Sequence, residues 1–311
     1  VVVNSKTLAV QWYNVLTKFG FNVSMYTGES KDLNDVTVAT FQSIYSIASK
    51  SSPLTESGVL GRFKNADLVI FDEVHHVPAN TFKYVAVLND KLHLGLSATP
   101  YREDYMDEVI YGLTSSPVYR LKFSDVLEYL VAPRIFNVTI PVKLVKHFNG
   151  FGDDGVEDDD DDEEEFSGYG GGRYIDLVKG VLWNGRVWTY AMFLANKLIE
   201  DGIYPVLIHS PLETPARVFA EKFNVPLLSG KKDEAERRAI LSGLNDKSIK
   251  VAIATTVVDE GIDIPSLKGL IMLFPGGSRV KLIQRIGRLV RRSPGKDVAY
   301  AFLFHYDLDD E

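Results

Sequence analysis

The sequence predicts an α/β protein with two layers of parallel strands. Its short apolar runs are uninterrupted and do not alternate with polar residues, which is typical of parallel strands that are covered on both faces. Segments with helical periodicity separate these runs, so strands and helices alternate along the chain. A length of 311 residues is enough for roughly two domains of about 150 residues each.

Five apolar runs predict the strands of the first layer. They are "VVV" at 1–3, "NVSMY" at 22–26, "DVTVAT" at 35–40, "DLVIF" at 67–71 and "LHLGLSAT" at 92–99. Helix-like segments lie between them. We therefore expect a first α/β domain over residues 1–132.

Five further runs predict the strands of the second layer. They are "YPVLIHS" at 204–210, "VPLLSG" at 225–230, "IKVAIATT" at 249–256, "LKGLIMLF" at 267–274 and "DVAYAFLF" at 297–304. Before them, the apolar residues of "VWTYAMFLANKLI" at 187–199 share one helical face, which predicts a helix packed on the core, with Trp183 and Trp188 close by. The members of this face are Val187, Ala191, Leu194, Ala195 and Leu198. We expect a second α/β domain over residues 173–311.

Residues 133–172 predict a connector with an acidic, glycine-rich insertion. The run "DDGVEDDDDDEEE" at 153–165 holds 11 acidic residues and "GYGGG" follows shortly after it, a composition too charged and glycine-rich to bury a core. One interpretation is a solvated linker; another is that the acidic run mimics nucleic acid and occupies a basic groove. Without these 11 residues, 31 of the 42 acidic residues remain against 34 basic ones. The net charge of −8 for the whole chain then becomes +3 for the rest of it, and a charge of +3 is compatible with phosphate binding.

Composition excludes several classes of protein. No apolar stretch reaches the roughly 18 residues that suggest a membrane span, and the first residues lack the pattern of a signal peptide. The chain has no cysteine, which excludes disulfides, thiolate zinc sites and cysteine nucleophiles and fits a reducing compartment. We therefore expect a protein that works inside a cell, in the cytoplasm of a prokaryote or viral host or in the nucleus of a eukaryote.

The strongest local signal for a functional site follows the run at 67–71. Asp72, Glu73, His75 and His76 come directly after these apolar residues. Ligands of open α/β sheets bind outside the carboxyl ends of the strands, so charged residues at this position favour a site. An ordinary strand that ends in a polar turn explains the same residues equally well. The paired histidines do not predict a zinc site, because no further ligand stands at a recognisable zinc spacing.

Four ordered segments extend this signal into a resemblance to a known family. The segments "DEVH" at 72–75, "SATP" at 97–100, "TTVVDEGID" at 255–263 and "QRIGRLVRR" at 284–292 resemble motifs II, III, V and VI of superfamily 2 helicases. Upstream, "VVVNSKTLAVQW", "YTGES" and "VATFQSI" resemble motif Ia, motif Ib and the next strand-end motif. Within the superfamily, "DEVHHVPANTF" and "HLGLSATPYRED" are most similar to XPB-type DNA helicases and their archaeal and phage relatives.

The resemblance implies two RecA-like domains with parallel sheets, the first N-terminally incomplete, and a cleft between them that binds ATP and Mg²⁺. Asp72 would hold Mg²⁺ through water, because Mg²⁺ takes few carboxylates besides phosphate oxygens and waters. Glu73 would orient and deprotonate the attacking water. His75 would connect the nucleotide site to Ser97 and Thr99 in motif III.

The segment "QRIGRLVRR" has a spacing that predicts one polar helix face. Gln284, Arg288 and Arg291 stand at i, i+4 and i+7, so their long side chains could reach a γ-phosphate from one side of a helix. A basic, solvated helix face is the alternative. By resemblance to motif V, Asp263 would meet the ribose and Gly261 would allow a close approach of the backbone.

The resemblance also implies contacts with the DNA backbone, which depend little on base sequence and weaken with salt. The candidates are residues at predicted strand ends: Ser5, Lys6, Gly28, Thr40, Gln42 and Thr255. For each of them taken singly, a role in a turn or a helix cap is an equally good explanation. The triplet Arg102-Glu103-Asp104 stands where XPB-type proteins carry residues that contribute to unwinding; a surface charge cluster is its alternative.

One expected motif is not in the sequence. A motor of this type needs G-x-x-x-x-G-K-[ST] or a close variant to hold the β and γ phosphates, and the 311 residues do not contain it. Three explanations stay open: a fragment of a longer ATPase, a separate polypeptide that supplies the loop, or a binding module without turnover. We favour the fragment, because residue 1 is expected to lie inside a strand of the first domain. The retained acids and arginines argue against the binding module, since binding alone does not need them. The chain as given is then expected to be inactive.

The predicted activity is DNA-dependent ATP hydrolysis coupled to translocation or unwinding, with 3′ to 5′ polarity implied by the family. An RNA helicase, the translocating subunit of a restriction system and an inactive DNA-binding scaffold are the alternatives. The expected partner is DNA. A nuclease is a candidate partner by analogy with archaeal relatives, and no membrane partner is expected.

Overall fold

The computed structural model describes residues 1–49, 58–77, 80–98, 107–114, 116–126, 128–143, 172–255, 264–276 and 279–308. The chain divides into two compact units, Val1–Arg120 and Leu121–Glu311. Each unit contains one sheet, and all the strand pairs within the described residues are parallel. The predicted fold class of α/β layers with parallel sheets is confirmed.

The first unit has five strands in the order β2-β3-β1-β4-β5. The strands are β1 (Val2–Val3), β2 (Val23–Tyr26), β3 (Val36–Thr40), β4 (Leu68–Asp72) and β5 (Leu92–Leu96). Its helices are α1 (Lys6–Lys18), α2 (Phe41–Ala48), α3 (Val59–Lys64), α4 (Asn80–Ala86) and α5 (Asp107–Thr114). A short 3₁₀ helix, Val74–His76, follows β4.

Two strands of this sheet pass directly into helices because capping residues stand at their ends. The Ser5 hydroxyl accepts a hydrogen bond from the Leu8 backbone N–H at 3.3 Å and caps α1. The Thr40 hydroxyl accepts from the Ser43 N–H at 3.3 Å and caps α2. Such side chains satisfy N–H groups that have no partner inside the helix. The N-termini of α1 and α2 therefore lie at the carboxyl edge of the sheet.

The two faces of the first sheet are covered unequally. On one face Phe41 stacks on Phe71 and Phe82, with ring centroids 5.8 and 4.3 Å apart. On the other, Leu68 lies beside Leu92 in register, and these side chains are 50% and 71% exposed. The expectation that the strands are buried on both faces is therefore wrong for β4 and β5, because the described helices do not cover their second face.

The second unit has six strands in the order β6-β11-β10-β7-β9-β8. The strands are β6 (Ala132–Val142), β7 (Val206–His209), β8 (Leu227–Leu228), β9 (Val251–Ala254), β10 (Gly269–Met272) and β11 (Val298–Leu308). The helices are α6 (Gly172–Leu182), α7 (Gly185–Glu200), α8 (Glu213–Phe223), α9 (Glu234–Asn245) and α10 (Arg279–Leu289). A 3₁₀ helix spans Phe123–Val126.

The second sheet is buried on both faces at its centre. Every residue of β7 and of β10 is buried, so these strands match the predicted pattern. Helix α7 packs on one face through four buried members of its predicted stripe, and Leu194 packs beside them at the edge of the same core. The indole of Trp188 is fully buried and stacks on Phe219 at 4.9 Å.

One strand lies in the segment predicted as a connector. Strand β6 pairs in parallel with β11 along all its 11 residues, so residues 132–142 belong to the second sheet. Pro133, Pro141 and the polar residues of "APRIFNVTIPV" hide this strand in the sequence, because proline is tolerated only at sheet edges. Strand β6 is such an edge strand.

Candidate functional site

The functional candidates of the first unit that the structure describes lie along one edge of its sheet. Parallel strands bring all their carboxyl ends to the same edge, where ligands of α/β sheets bind. Across the sheet from β2 to β5, the residues at these ends are Gly28, Thr40, Ser5, Asp72 and Ser97. The edge therefore changes from glycine and hydroxyl groups at one side to a carboxylate near the other.

Asp72 is the last residue of β4, and both oxygens of its carboxylate accept a hydrogen bond. The indole Nε1 of Trp12 donates to Oδ2 at 2.7 Å, and the backbone N–H of Glu73 donates to Oδ1 at 3.0 Å. Trp12 belongs to α1 and stands 60 residues earlier in the chain. Sequence reasoning missed this contact, because no local pattern relates residues so far apart.

Glu73 has an uncommon backbone conformation. Its φ of 50° and ψ of 53° place it in the left-handed region, directly before the 3₁₀ helix. A residue other than glycine in a sparsely populated region of this kind costs on the order of 1–3 kcal/mol, and such residues cluster at functional sites. The turn moves the chain abruptly out of β4. It leaves the Glu73 Oε2 atom 3.3 Å from Nδ1 of His75.

His75 connects the ends of two neighbouring strands. Its ring is buried, and Nδ1 lies 3.0 Å from the Ser97 hydroxyl that follows β5. A close approach of β5 to the 3₁₀ turn makes this contact possible: a Cβ atom on Gly95 would lie 2.9 Å from Cγ2 of Val74, which is too close. A side chain at position 95 would therefore force Val74 to shift, whereas glycine lets the turn rest on the strand.

The donor set around Asp72 fits a magnesium ion held through water. Mg²⁺ keeps several waters and takes one or two carboxylates besides substrate phosphates. Each Asp72 oxygen has a second lone pair beyond its N–H contact, and these can accept hydrogen bonds from metal-bound waters. In the part of the chain that the structure describes, no group of three or more His, Cys, Asp or Glu side chains could hold a metal ion directly.

The nucleic-acid candidates of the first unit gather around the N-termini of α1 and α2. Lys6 forms an exposed ion pair with Glu29, with Nζ and Oε1 2.7 Å apart, and this contact lowers the pKa of the Glu29 carboxyl. A Cβ atom on Gly28 would touch the Lys6 side chain at 3.9 Å. The Gln42 side chain donates to the Asn4 carbonyl at 3.2 Å. Helix N-termini with a nearby cation are suited to phosphate groups.

The corresponding edge of the second sheet carries hydroxyl groups around one carboxylate. Ser229 follows β8 and donates to Oε1 of Glu213 at 2.6 Å. Thr255 follows β9, is buried, and has its hydroxyl 3.5 Å from Oε2 of the same carboxylate. Sequence reasoning selected Thr255 but missed Ser229 and Glu213, although the run "VPLLSG" at 225–230 contains this serine.

The predicted helix face of motif VI is only partly correct. Gln284 and Arg288 lie on α10 one turn apart, but the helix ends at Leu289 and Arg291 lies beyond it. The backbone leaves the helix because it pairs with the residues just before β6. Val131 donates to the Val290 carbonyl at 2.8 Å, and Arg291 forms a β-bridge with Leu130. Arg291 therefore does not share a helix face with Arg288.

Two family models match the chain. The model described as "Type III restriction enzyme, res subunit" matches residues 1–102, and the model described as "Helicase conserved C-terminal domain" matches residues 198–293. The "Putative helicase 22" of Sulfolobus islandicus filamentous virus is 30% identical over 98% of this chain and 55% of its own length. The "DNA 3'-5' translocase XPB2" of Sulfurisphaera tokodaii is 26% identical over 94% of this chain and 69% of its own length.

The chain is thus similar to XPB-like helicases of superfamily 2 along most of its length. Its fold agrees: Saccharomyces cerevisiae Dbp5, solved with RNA and ADP BeF₃, aligns with a TM-score of 0.56 at 16% identity over 98% of this chain and 70% of that chain. Both sheets are thus RecA-like. The chain spans about half the length of the viral relative, 55% of it.

Several of the predicted site residues and segments lie outside the described residues. These are Thr99 of motif III, the triplet Arg102-Glu103-Asp104, Gly261 and Asp263 of motif V, and the acidic run at 153–165. Among the described residues, no helix has the length and apolar character needed to cross a membrane.

Proposed function

We propose that this protein is an ATP-dependent DNA helicase or translocase of the XPB type, whose hydrolytic residues lie at the carboxyl ends of β4 and β5. The observation that carries the proposal is the contact of Asp72, Glu73, His75 and Ser97 at one point of the sheet edge. A basic residue and two capped helix N-termini lie along the same edge. Relatives named as DNA 3′-5′ helicases or translocases support DNA as the substrate.

The hydrolytic step follows from these positions. Asp72, whose carboxylate is fixed by two N–H donors, would hold Mg²⁺ through water, and the ion would neutralise charge on the phosphates. Glu73 would orient the attacking water and accept its proton. His75 would transmit the state of this site to Ser97, because its ring contacts both the Glu73 carboxylate and that hydroxyl. Arg288 and Arg291 would stabilise the charge of the phosphoryl group in transfer.

DNA would bind chiefly through its phosphates. Backbone N–H groups at the starts of α1 and α2, the Lys6 ammonium and the Gly28 backbone are suited to an oxyanion that carries no sequence information. Thr255 would add a hydroxyl from the second unit. The relative from Sulfurisphaera tokodaii is named as a 3′-5′ translocase, so the proposed direction of movement is 3′ to 5′.

We also propose that the 311 residues alone do not hydrolyse ATP. The sequence lacks G-x-x-x-x-G-K-[ST], and catalysis of phosphoryl transfer depends on groups that hold the β and γ phosphates. Experiments on turnover therefore use the full-length gene product. A nuclease partner remains a candidate by analogy alone, and pull-down of a nuclease with the full-length product would test it.

The substrate class is tested by comparing ATP hydrolysis by the full-length product with duplex DNA, single-stranded DNA and RNA of equal length. The proposal predicts clear stimulation by DNA and little by RNA. Stimulation by RNA alone would identify an RNA helicase. Tight DNA binding without hydrolysis under any of these conditions would identify an inactive scaffold and contradict the proposal.

A restriction-type translocase is a second candidate, because one of the matching family models is described as a restriction enzyme subunit. ATP-driven movement along duplex DNA without strand separation would favour it.

A further inference from the structure

We propose that Trp12 is a positioning residue that fixes the Asp72 carboxylate and couples it to helix α1. The inference rests on the proposed function, in which Asp72 holds Mg²⁺ and the start of α1 contacts a DNA phosphate. Trp12 itself touches neither the nucleotide nor DNA in this account. It acts through the direction in which it holds Asp72.

The contact is short and specific. The indole N–H of Trp12 donates to Asp72 Oδ2 at 2.7 Å, a distance typical of a hydrogen bond to an ionised carboxylate. The Glu73 N–H donates to the other oxygen at 3.0 Å. Two donors from different elements define the plane of the carboxylate, whereas a single donor would leave it free to rotate about its side chain. Asp72 is thereby prepared for waters that approach from the remaining lone-pair directions.

Packing alone does not account for a tryptophan at position 12. The half-buried ring rests against a small apolar cluster of Val3, Ala9, Val23 and Val38. A phenylalanine or leucine side chain would also fill this kind of contact, but neither carries a donor. Tryptophan combines an apolar body with one N–H group, which usually finds a partner when it is buried.

The position of Trp12 on α1 connects two sites that would otherwise be independent. Helix α1 begins at Lys6 under the Ser5 cap, so its first turn lies at the carboxyl edge of the sheet. Trp12 stands about two turns further along the same 13-residue helix. A phosphate that contacts the first turn would shift or hold α1, and a helix moves as a rigid element. The shift would reach Asp72 through the indole N–H.

The coupling is tested by measuring Mn²⁺ affinity, as a paramagnetic probe for Mg²⁺, on the full-length product with ADP, with and without duplex DNA. Replacing a group that orients a metal-binding residue typically weakens metal affinity by about 10- to 100-fold, and we expect a loss toward the lower end for Trp12→Phe because the ion is held through water. DNA should strengthen Mn²⁺ binding in the parent and, by reciprocity, Mn²⁺ should strengthen DNA binding. In Trp12→Phe, DNA should no longer strengthen Mn²⁺ binding and Mn²⁺ should no longer strengthen DNA binding. The DNA affinity measured without metal should stay unchanged.

The control variant is Tyr13→Phe, which removes a hydroxyl from the neighbouring aromatic residue of the same helix and should leave both affinities as in the parent. If Trp12→Phe does not fold, benzothienylalanine at position 12 keeps the shape of the indole without its N–H group and should give the same loss. Parent-like Mn²⁺ affinity and parent-like mutual effect in either variant would overturn the inference.

Asp72→Ala separates failure of the inference from failure of the proposed function. If Asp72→Ala weakens Mn²⁺ binding and the Trp12 variants do not, Trp12 only packs and the proposed function stands. If Asp72→Ala leaves Mn²⁺ binding unchanged, the proposed role of Asp72 is wrong, and the inference fails with it.

Discussion

The two sheets have the same parallel construction, yet their carboxyl edges carry different chemistry. In the first unit β4 ends in Asp72 and Glu73 follows it, with the ring of His75 close to the Glu73 carboxylate. In the second unit Ser229 and Thr255 follow β8 and β9, and each hydroxyl lies close to one oxygen of the Glu213 carboxylate. Carboxylates suit a cation and a water to be deprotonated, whereas hydroxyl groups suit an oxyanion. The same scaffold therefore presents two different sets of candidate residues at the ends of its strands.

The sheets differ in burial as well. The central strands β7 and β10 are buried at every residue, whereas Leu68 and Leu92 on β4 and β5 are half exposed or more. Each exposed leucine forgoes part of the roughly 1.5–3 kcal/mol that full burial would contribute. Strands β4 and β5 are thus less firmly packed on this face than β7 and β10 are.

The largest expected effect tests whether the second unit takes part in the chemistry assigned to the first. Arg288→Ala in the full-length product should lower the rate of ATP hydrolysis by about 10³-fold or more, because an arginine that stabilises the transferring phosphoryl group contributes that much. Steady-state hydrolysis with saturating duplex DNA is the measurement. Arg238→Ala, an exposed cation of the same unit paired with Glu234, is the matched control and should keep the parent rate. Turnover unaffected by Arg288→Ala would restrict the chemistry to the first unit.

A smaller effect, on DNA affinity, is expected from Lys6 at the carboxyl edge of the first sheet, where we propose that phosphates bind. Lys6→Ala should weaken DNA binding and reduce the slope of log affinity against log salt by about 1, because one phosphate contact is lost. Glu29→Gln should strengthen DNA binding, since the carboxylate now competes with phosphate for the Lys6 ammonium. Titrations at several salt concentrations give both values. Lys18→Ala, at the other end of α1, is the control and should leave the slope unchanged. An unchanged slope in Lys6→Ala would remove Lys6 from the DNA contact.

The smallest expected effect concerns stability at the acid-bearing turn. Glycine adopts the left-handed conformation of residue 73 freely, whereas alanine does not. Glu73→Gly should therefore be more stable than Glu73→Ala by about 1 kcal/mol in denaturant unfolding, the reverse of the usual order inside helices and strands. Both variants lose the carboxylate, so their difference isolates the backbone. An equal or lower stability of the glycine variant would show that residue 73 is not strained.

The sequence allowed the strands and the candidate acids to be predicted because both leave local signals. The run at 67–71 predicted β4 within one residue. Asp72 and Glu73 were predictable candidates because charged residues directly after an apolar strand suggest a site. Three features of the structure could not be predicted, because they leave no local signal of this kind in the sequence. The Trp12 contact joins distant parts of the chain, the left-handed turn at Glu73 has no glycine to indicate it, and β6 carries prolines that argue against a strand.

Arg291 illustrates the opposite error. Its spacing from Gln284 suggests a continuous helix, and helical spacing is the only information that the sequence provides there. The end of α10 is instead set by pairing of residues 290 and 291 with residues 130 and 131, which are more than 150 positions away. Tertiary pairing thus overrides a local pattern at the helix end.

The central claim is that the acid after β4 is the base for ATP hydrolysis and not a part of the DNA contact. The most direct test compares Glu73→Gln with the parent full-length product in two assays, DNA-stimulated ATP hydrolysis and DNA affinity. Glutamine retains the size of the side chain but cannot accept the proton of the attacking water. The account predicts that hydrolysis is abolished while the dissociation constant for DNA changes by less than about twofold. Preserved hydrolysis with lost DNA binding would contradict it.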